Sequence, residues 1–153
     1  MSSNYAHFLK HPVFKVVSKY ATENNIQAFV IGGYVRDLFL ERNSKDIDIV
    51  IVGEGPSFAQ AIASIMRIKK ISIFKNYGTA HFKYKDLDIE FVGARKESYQ
   101  EDSRNPSTSE GTIQDDQLRR DFTINALALD LNAERYGALV DPFEGMKDLE
   151  NGI

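Results

Sequence analysis

The stretch GGYVRD, Gly32 to Asp37, followed nine residues later by DID, Asp46 to Asp48, decides how this chain is read. The apolar run Phe29-Val30-Ile31 ahead of it predicts a strand, Gly32-Gly33 a tight turn, and the residues through Leu40 a short helix. Backbone N–H groups at such a turn can meet the oxygens of a triphosphate, although a glycine pair also serves as an ordinary turn. Arg36 and Asp37 are expected in the first turn of the helix, where Arg36 can grip phosphate and Asp37 can brace it or favour the helix dipole. A surface ion pair is the plainer reading of both. The next strand is expected over Asp46 to Val52, and alternation then places Asp46 and Asp48 on one face and Ile47, Ile49 and Ile51 on the other. Alone, that pattern is what any half-buried strand shows. Beside a glycine turn, the two carboxylates are candidate magnesium ligands. Hard oxygen donors share such cations with substrate phosphates, and a two-metal clamp about 3.5 to 4 Å wide stabilises both the attacking and leaving oxygens of an in-line displacement. The reaction class is nucleotidyl transfer.

A second constellation, RRDFTINALALDL from Arg119 to Leu131, is hard to explain by packing alone. On a helix Asp121 and Asn125 share a face as i and i+4, beside an apolar stripe of Phe122 and Ala126. Arg119 and Arg120 suit phosphate oxygens, and an Asp with an Asn can hydrogen-bond ribose hydroxyls or hold an arginine in place. An N-terminal cap by Asp121 with a solvated arginine pair accounts for the same residues.

GGYVRD with Asp46 and Asp48, then RRDFTINA, then DPFEGMKDL resembles the head of the bacterial class II tRNA nucleotidyltransferase and poly(A) polymerase family, within the DNA polymerase β nucleotidyltransferase superfamily. The resemblance runs from about Ile31 to the last residue. It implies triphosphate contacts from the Gly32-Gly33 turn and Arg36, metal ligation by Asp46 and Asp48, and a phosphate and ribose site at Arg119, Arg120, Asp121 and Asn125. Asp141 to Leu149 is then similar to a hinge motif. A third carboxylate usually supports the metal ligands from a neighbouring strand. The candidates are Asp88 and Glu90, which share a face opposite Leu87, Ile89 and Phe91, and the spacing from Glu90 to Arg95 resembles the family pattern and favours Glu90. Its task would be to orient a metal or to help accept the proton of an attacking 3′ hydroxyl.

Length and composition agree with one compact domain: 153 residues, 42% of them hydrophobic, are enough for a core. The absence of cysteine removes disulfides and thiolate metal sites, and the three histidines, at 7, 11 and 81, have no ligand-like spacing. No apolar run approaches the roughly 20 residues that cross a bilayer, and MSSNYAHFLKHP lacks the order of a secretory signal, so a cytoplasmic enzyme without membrane partners is expected. A net charge of −3 argues against a surface that holds tRNA by itself; Arg67, Lys69, Lys70, Lys75, Lys83 and Lys85 read as solvated.

The coarse elements fit a mixed α/β (α+β) head. Helices are expected from Pro12 toward Asn24 and from Pro56, and strands over Gln27–Ile31, Asp46–Val52, Ile71–Phe74, His81–Tyr84 and Leu87–Val92, the last two joined by a Lys85-Asp86 hairpin turn. This predicts the polymerase β-like fold: four or five mixed strands, helices on one face, and the acidic face open for nucleotide. The polar stretch from Lys96 to Gln117 reads as a mobile loop that can close over substrate or simply connect. Residues 1–153 are expected to be an isolated head, without the helical neck, body and tail that in the family pair with the incoming base and hold tRNA. The expected activity is two-metal, Mg2+-dependent addition of CCA to tRNA 3′ ends from CTP and ATP. An A-adding enzyme or poly(A) polymerase shares the same head motifs, and a non-catalytic nucleotide-binding module is the reading from another class.

Overall fold

The computed structural model describes residues 5–40, 42, 44–97, 108–110 and 127–140. Helix α1, Pro12–Glu23, starts where His11 is extended (φ −69°, ψ 139°) and Pro12 brings a pre-set helical φ. Val13, Phe14, Val17, Ser18 and Ala21 form its buried stripe. It ends at Asn24, whose side-chain amide donates to the Tyr20 carbonyl at 2.8 Å. Helix α2 is Gly33–Phe39 and helix α3 is Gly55–Ile65, whose buried side includes Phe58, Ala59, Ile62 and Ala63.

The strands are β1 Ala28–Ile31, β2 Asp46–Ile51, β3 Ile71–Phe74, β4 Thr79–Tyr84, β5 Leu87–Gly93, β6 Arg95–Glu97, β7 Thr108–Glu110, β8 Ala128–Asp130 and β9 Leu139–Val140. Among the described residues seven form one sheet in the order β3-β4-β5-β2-β1-β8-β9, in which β2 and β5 are parallel and every other pair is antiparallel. The mixed α/β architecture and the β4–β5 hairpin agree with the sequence reading. Tyr84 pairs with Leu87, and the turn between them puts Lys85 at φ 56°.

Two expectations are corrected. The sheet exceeds four or five strands because Ala128–Asp130 and Leu139–Val140 are also strands, neither of which was expected from the sequence. The alternation Leu127, Leu129, Leu131 against Ala128 and Asp130 has period two, and β8 fills a place beside β1 that buries both of its faces. The stretch from Lys96 to Gln117 is not wholly loop, since β6 pairs with β7 in a separate antiparallel ribbon.

The main core lies between the sheet and the helices. Val30 of β1, Ile47, Ile49 and Ile51 of β2, Ile89 and Phe91 of β5, and Leu129 of β8 meet Val17 of α1 and Phe58 and Ile62 of α3. The other face is divided: Phe29, Ile31, Val50, Ala94 and Ala128 make a second buried apolar cluster. That face is therefore not open throughout, as had been expected.

Close backbone packing fixes the β2-to-β5 crossover. A Cβ on Gly55 would lie 2.5 Å from the Gly78 carbonyl oxygen and 2.9 Å from the Gly93 nitrogen, and one on Gly93 would lie 2.7 Å from the Gly53 oxygen. With no side chains there, Gly93 N–H donates to the Gly78 oxygen at 3.1 Å and Ala94 N–H to the Ile51 oxygen at 2.8 Å. At the same end of the strands, on the other side of β2, Asn132 links β8 to β1. Its Oδ1 accepts from the Ala28 N–H at 2.9 Å and its Nδ2 donates to the Ile26 carbonyl at 2.7 Å.

Asp130 ends β8 with its side chain only 7% exposed. The Asn132 N–H donates to its Oδ1 at 2.9 Å and Arg135 Nε lies 3.8 Å from its Oδ2. Burial pushes the carboxyl above its ordinary range, against the opposing pull of the Asn132 N–H and the Arg135 charge.

Two stability experiments follow from this packing. Gly55→Ala should destabilise the fold by about 1–3 kcal/mol, the cost of overpacking, because the atoms met are backbone and cannot rotate away; urea unfolding measures it. Asp130 has its folded-state pKa raised, so the native state binds its proton more readily than the unfolded chain. Its ionisation therefore costs stability above the folded pKa, and that cost disappears as pH falls below the ordinary carboxylate value. Asp130→Asn should be stabilising relative to the parent at pH 7 and show no advantage at pH 3 in parallel unfolding curves.

Candidate active site

Gly32 leaves β1 at φ 84°, ψ −144°, a conformation that side chains oppose. Its N–H donates to the Leu127 carbonyl at 3.2 Å and its own carbonyl accepts from the Arg36 N–H at 3.1 Å. The expected phosphate contact therefore does not fall to the Gly32 amide, which is committed to the segment entering β8; the role of this glycine is conformational. The amides of Gly33, Tyr34 and Val35 precede the first intrahelical bond of α2, in the turn where helix N–H groups lack intrahelical acceptors.

Helix α2 is anchored by Tyr34 and Val35, both buried. The Tyr34 ring lies 5.6 Å from that of Phe14 on α1, and burial pushes its phenol up to about 12. Arg36 and Asp37 sit beyond the first turn, not within it as predicted, because the helix begins at Gly33. Asp37 does brace the arginine: Arg36 Nε donates to Asp37 Oδ1 at 3.2 Å. A Cβ on Gly33 would come within 3.3 Å of a terminal nitrogen of Arg36, so the second glycine leaves room for the guanidinium to fold back over the turn. That packing role was not evident from the motif.

The turn lies at the carboxylate end of the sheet. Ile31 pairs with Asp48 in the antiparallel β1–β2 ladder, so the chain enters Gly32 and Gly33 alongside Ile47 and Asp46. In the parallel β2–β5 ladder Asp46 is opposite Asp88 and Asp48 is opposite Glu90. Paired residues project to the same side, so all four carboxylates share the face away from α1 and α3. Asp46 and Glu90 are exposed, Asp48 and Asp88 half-buried.

The next strand adds groups that sequence reading passed over. In the β4–β5 ladder His81 is opposite Glu90 and Lys83 opposite Asp88. His81 Nε2 lies 3.3 Å from Asp88 Oδ1, and Lys83 Nζ lies 3.8 Å from the same oxygen. The signal was present in the hairpin: with a two-residue turn at Lys85-Asp86, residues 81 and 90, and 83 and 88, must pair.

These donors fit a hard divalent cation such as Mg2+. Aspartate and glutamate oxygens reach one accessible face from adjacent strands, and this ion is typically held by one or two carboxylates together with substrate phosphates. No group of three or more His, Cys, Asp or Glu side chains that could hold a metal ion is present among the described residues. Arg119, Arg120, Asp121 and Asn125, and the segment from Asp141 to Leu149, lie outside the described residues. A cavity of about 450 Å³ lined by Gln27, Phe29, Asp130 and Arg135 is at the start of β1, the opposite end from Gly32, and includes none of the predicted site residues. Among the described residues no helix is long and apolar enough to cross a membrane.

Residues 28–153 match the family described as the Poly A polymerase head domain. The A-adding tRNA nucleotidyltransferase of Aquifex aeolicus is 37% identical over 128 residues, covering 84% of this chain and 15% of that protein. A crystal structure of a tRNA nucleotidyltransferase complexed with a primer tRNA and an incoming ATP analog matches 88% of this chain and 36% of its own at 36% identity and a TM-score of 0.77. The complex of a CCA-adding enzyme with CTP matches 99% of this chain and 36% of its own at 34% identity and a TM-score of 0.81. The chain thus spans only a minor part of these relatives. Sequence, fold and the in-register carboxylates beside the glycine turn agree, and the chain belongs to the poly(A) polymerase head-domain family, whose similar members are tRNA nucleotidyltransferases.

Proposed function

We propose that this chain is the catalytic head of a template-independent nucleotidyltransferase that extends tRNA 3′ ends, adding CCA from CTP and ATP. The observation that carries the proposal is the pairing of Asp48 with Glu90 across β2 and β5, with Asp46 on the same face and the Gly32–Arg36 turn beside it. In the reaction the 3′ hydroxyl oxygen attacks the α-phosphorus, a new P–O bond forms, and the bond to pyrophosphate breaks.

Asp46 and Asp48 would hold two divalent ions, which when bound supply charge neutralisation at the attacking and leaving oxygens. Glu90, paired with Asp48 across the two strands, would accept or relay the hydroxyl proton. Arg36, held by Asp37 at 3.2 Å, presents a fixed positive group for the triphosphate. Arg119, Arg120, Asp121 and Asn125 are proposed for the phosphate and ribose. Relatives that bear the name A-adding, from Aquifex aeolicus and Halalkalibacterium halodurans, support A-only addition as a second reading.

Incubating the intact gene product with magnesium, CTP, ATP and a tRNA lacking its terminal CCA, then sequencing the 3′ ends, tests both. Addition of C, C and A that stops there is the expected result; A-only addition moves the chain to the second reading. Asp46→Asn or Asp48→Asn should lower the rate by at least about a hundredfold, as loss of electrostatic stabilisation in a transition state does, with unchanged circular dichroism. Full activity in either variant would refute the ligand assignment. The 153-residue chain alone is expected to bind all four nucleoside triphosphates with similar affinity, because base reading is proposed to lie outside it; a strong preference for ATP and CTP in equilibrium binding would overturn that part.

A further inference from the structure

By position alone Asp88 could support a cation from β5 as well as Glu90 could. It is in register with Asp46 as Glu90 is with Asp48, and it is on the same face. The difference comes from β4. His81 lies directly opposite Glu90 yet reaches diagonally to Asp88, and Lys83 approaches from directly opposite, so both groups converge on the one Oδ1. The carboxylate oxygen accepts from His81, which takes up a direction along which it could have bound a metal, while Lys83, 72% exposed and 3.8 Å away, adds only its charge. The histidine and Asp88 side chains are 34% and 37% exposed, less accessible to screening water than the neighbouring Lys45–Asp86 pair at 68% and 72%. The Asp88 backbone is also tied, its N–H donating to the Lys45 carbonyl at 2.8 Å.

We propose that His81, aided by Lys83, is a positioning residue that holds Asp88 out of the metal-binding set, confining divalent cations to Asp46 and Asp48. The inference rests on the nucleotidyl-transfer reading above. Without this restraint a further carboxylate would compete for the same ions and draw them toward β4, away from the glycine turn.

Binding of Mn2+ to the 153-residue chain, followed by electron paramagnetic resonance without nucleotide, tests it, with circular dichroism to confirm folding of each variant. Asp88→Asn should leave Mn2+ affinity within about twofold of the parent, the scatter expected of independent sites. His81→Ala should tighten Mn2+ binding by about twofold to fivefold, the strength of a partly exposed side-chain contact, as Asp88 is released toward the cation. Combining it with Asp88→Asn should abolish the tightening, and His81→Gln, which restores a donor, should reverse most of it. Weakening by about tenfold or more in Asp88→Asn would show that Asp88 itself supports the metal and would overturn the proposal, as would a His81→Ala effect that persists without Asp88. If Asp46→Asn and Asp48→Asn leave Mn2+ binding unchanged, the nucleotidyl-transfer reading fails and takes this proposal with it. If they abolish binding while Asp88→Asn also weakens it, only the proposal fails.

Discussion

The parallel register between β2 and β5 is the constraint on which the rest of the site depends. It sets Asp48 beside Glu90 and Asp46 beside Asp88, although the two strands are separated by a helix, an edge strand and half a hairpin. A one-residue slip would turn every β5 carboxylate into the helix-packed core and every β5 isoleucine or phenylalanine out of it. Two things oppose a slip: the apolar set Leu87, Ile89 and Phe91, buried under the helices, and the backbone contact of Gly55 with Gly78 and Gly93. Close packing at the far end of the strands thus fixes the chemistry at the near end.

The face that carries the carboxylates is split by composition. Toward β1 and β8 it is apolar and buried at Phe29, Ile31, Val50 and Ala128; toward β4 it is charged. Like charges on adjacent strands repel, and four carboxylates on one patch would be costly without compensation. Lys83 and His81 supply part of it from β4, while Arg36 stands on the glycine-turn side with its own partner, Asp37. The arrangement is an accessible acidic surface between two positive flanks, suited to a ligand that brings both cations and phosphate.

Much of this was legible in the sequence where local rules operate. Pro12 and the spacing of Val13, Val16, Val17 and Tyr20 mark α1, and the Asp46–Ile51 alternation marks β2 and its two faces. Less legible was whatever depends on distant partners. The segment LALDL, Leu127 to Leu131, carries both a helical composition and a period of two, and only the place beside β1 makes Ala128–Asp130 a strand. Gly55 has no turn geometry to announce it; its need for a missing side chain comes from Gly78 and Gly93. Taken one by one, Lys83 has the look of a solvated lysine and His81 has no ligand-like spacing. Counting across the two-residue turn at Lys85-Asp86 was enough to place them against Glu90 and Asp88.

Asn132 has a consequence for the order in which the molecule can be built. Its side chain completes the backbone of β1 through Ile26 and Ala28, partners 106 and 104 residues earlier in the chain. Strand β1 is the partner that β2 needs on the side away from β5, and β1 in turn lacks its outer neighbour until β8 is made. Closing a loop of that size costs more entropy than closing the shorter β2–β5 connection, which favours forming the interior of the sheet before its β8 side is sealed. During synthesis the glycine turn and both carboxylate strands leave the ribosome well before the residue that locks their neighbour. The nascent head therefore spends part of its assembly with an unpaired β1 edge, the kind of exposed strand that chaperones and aggregation both recognise.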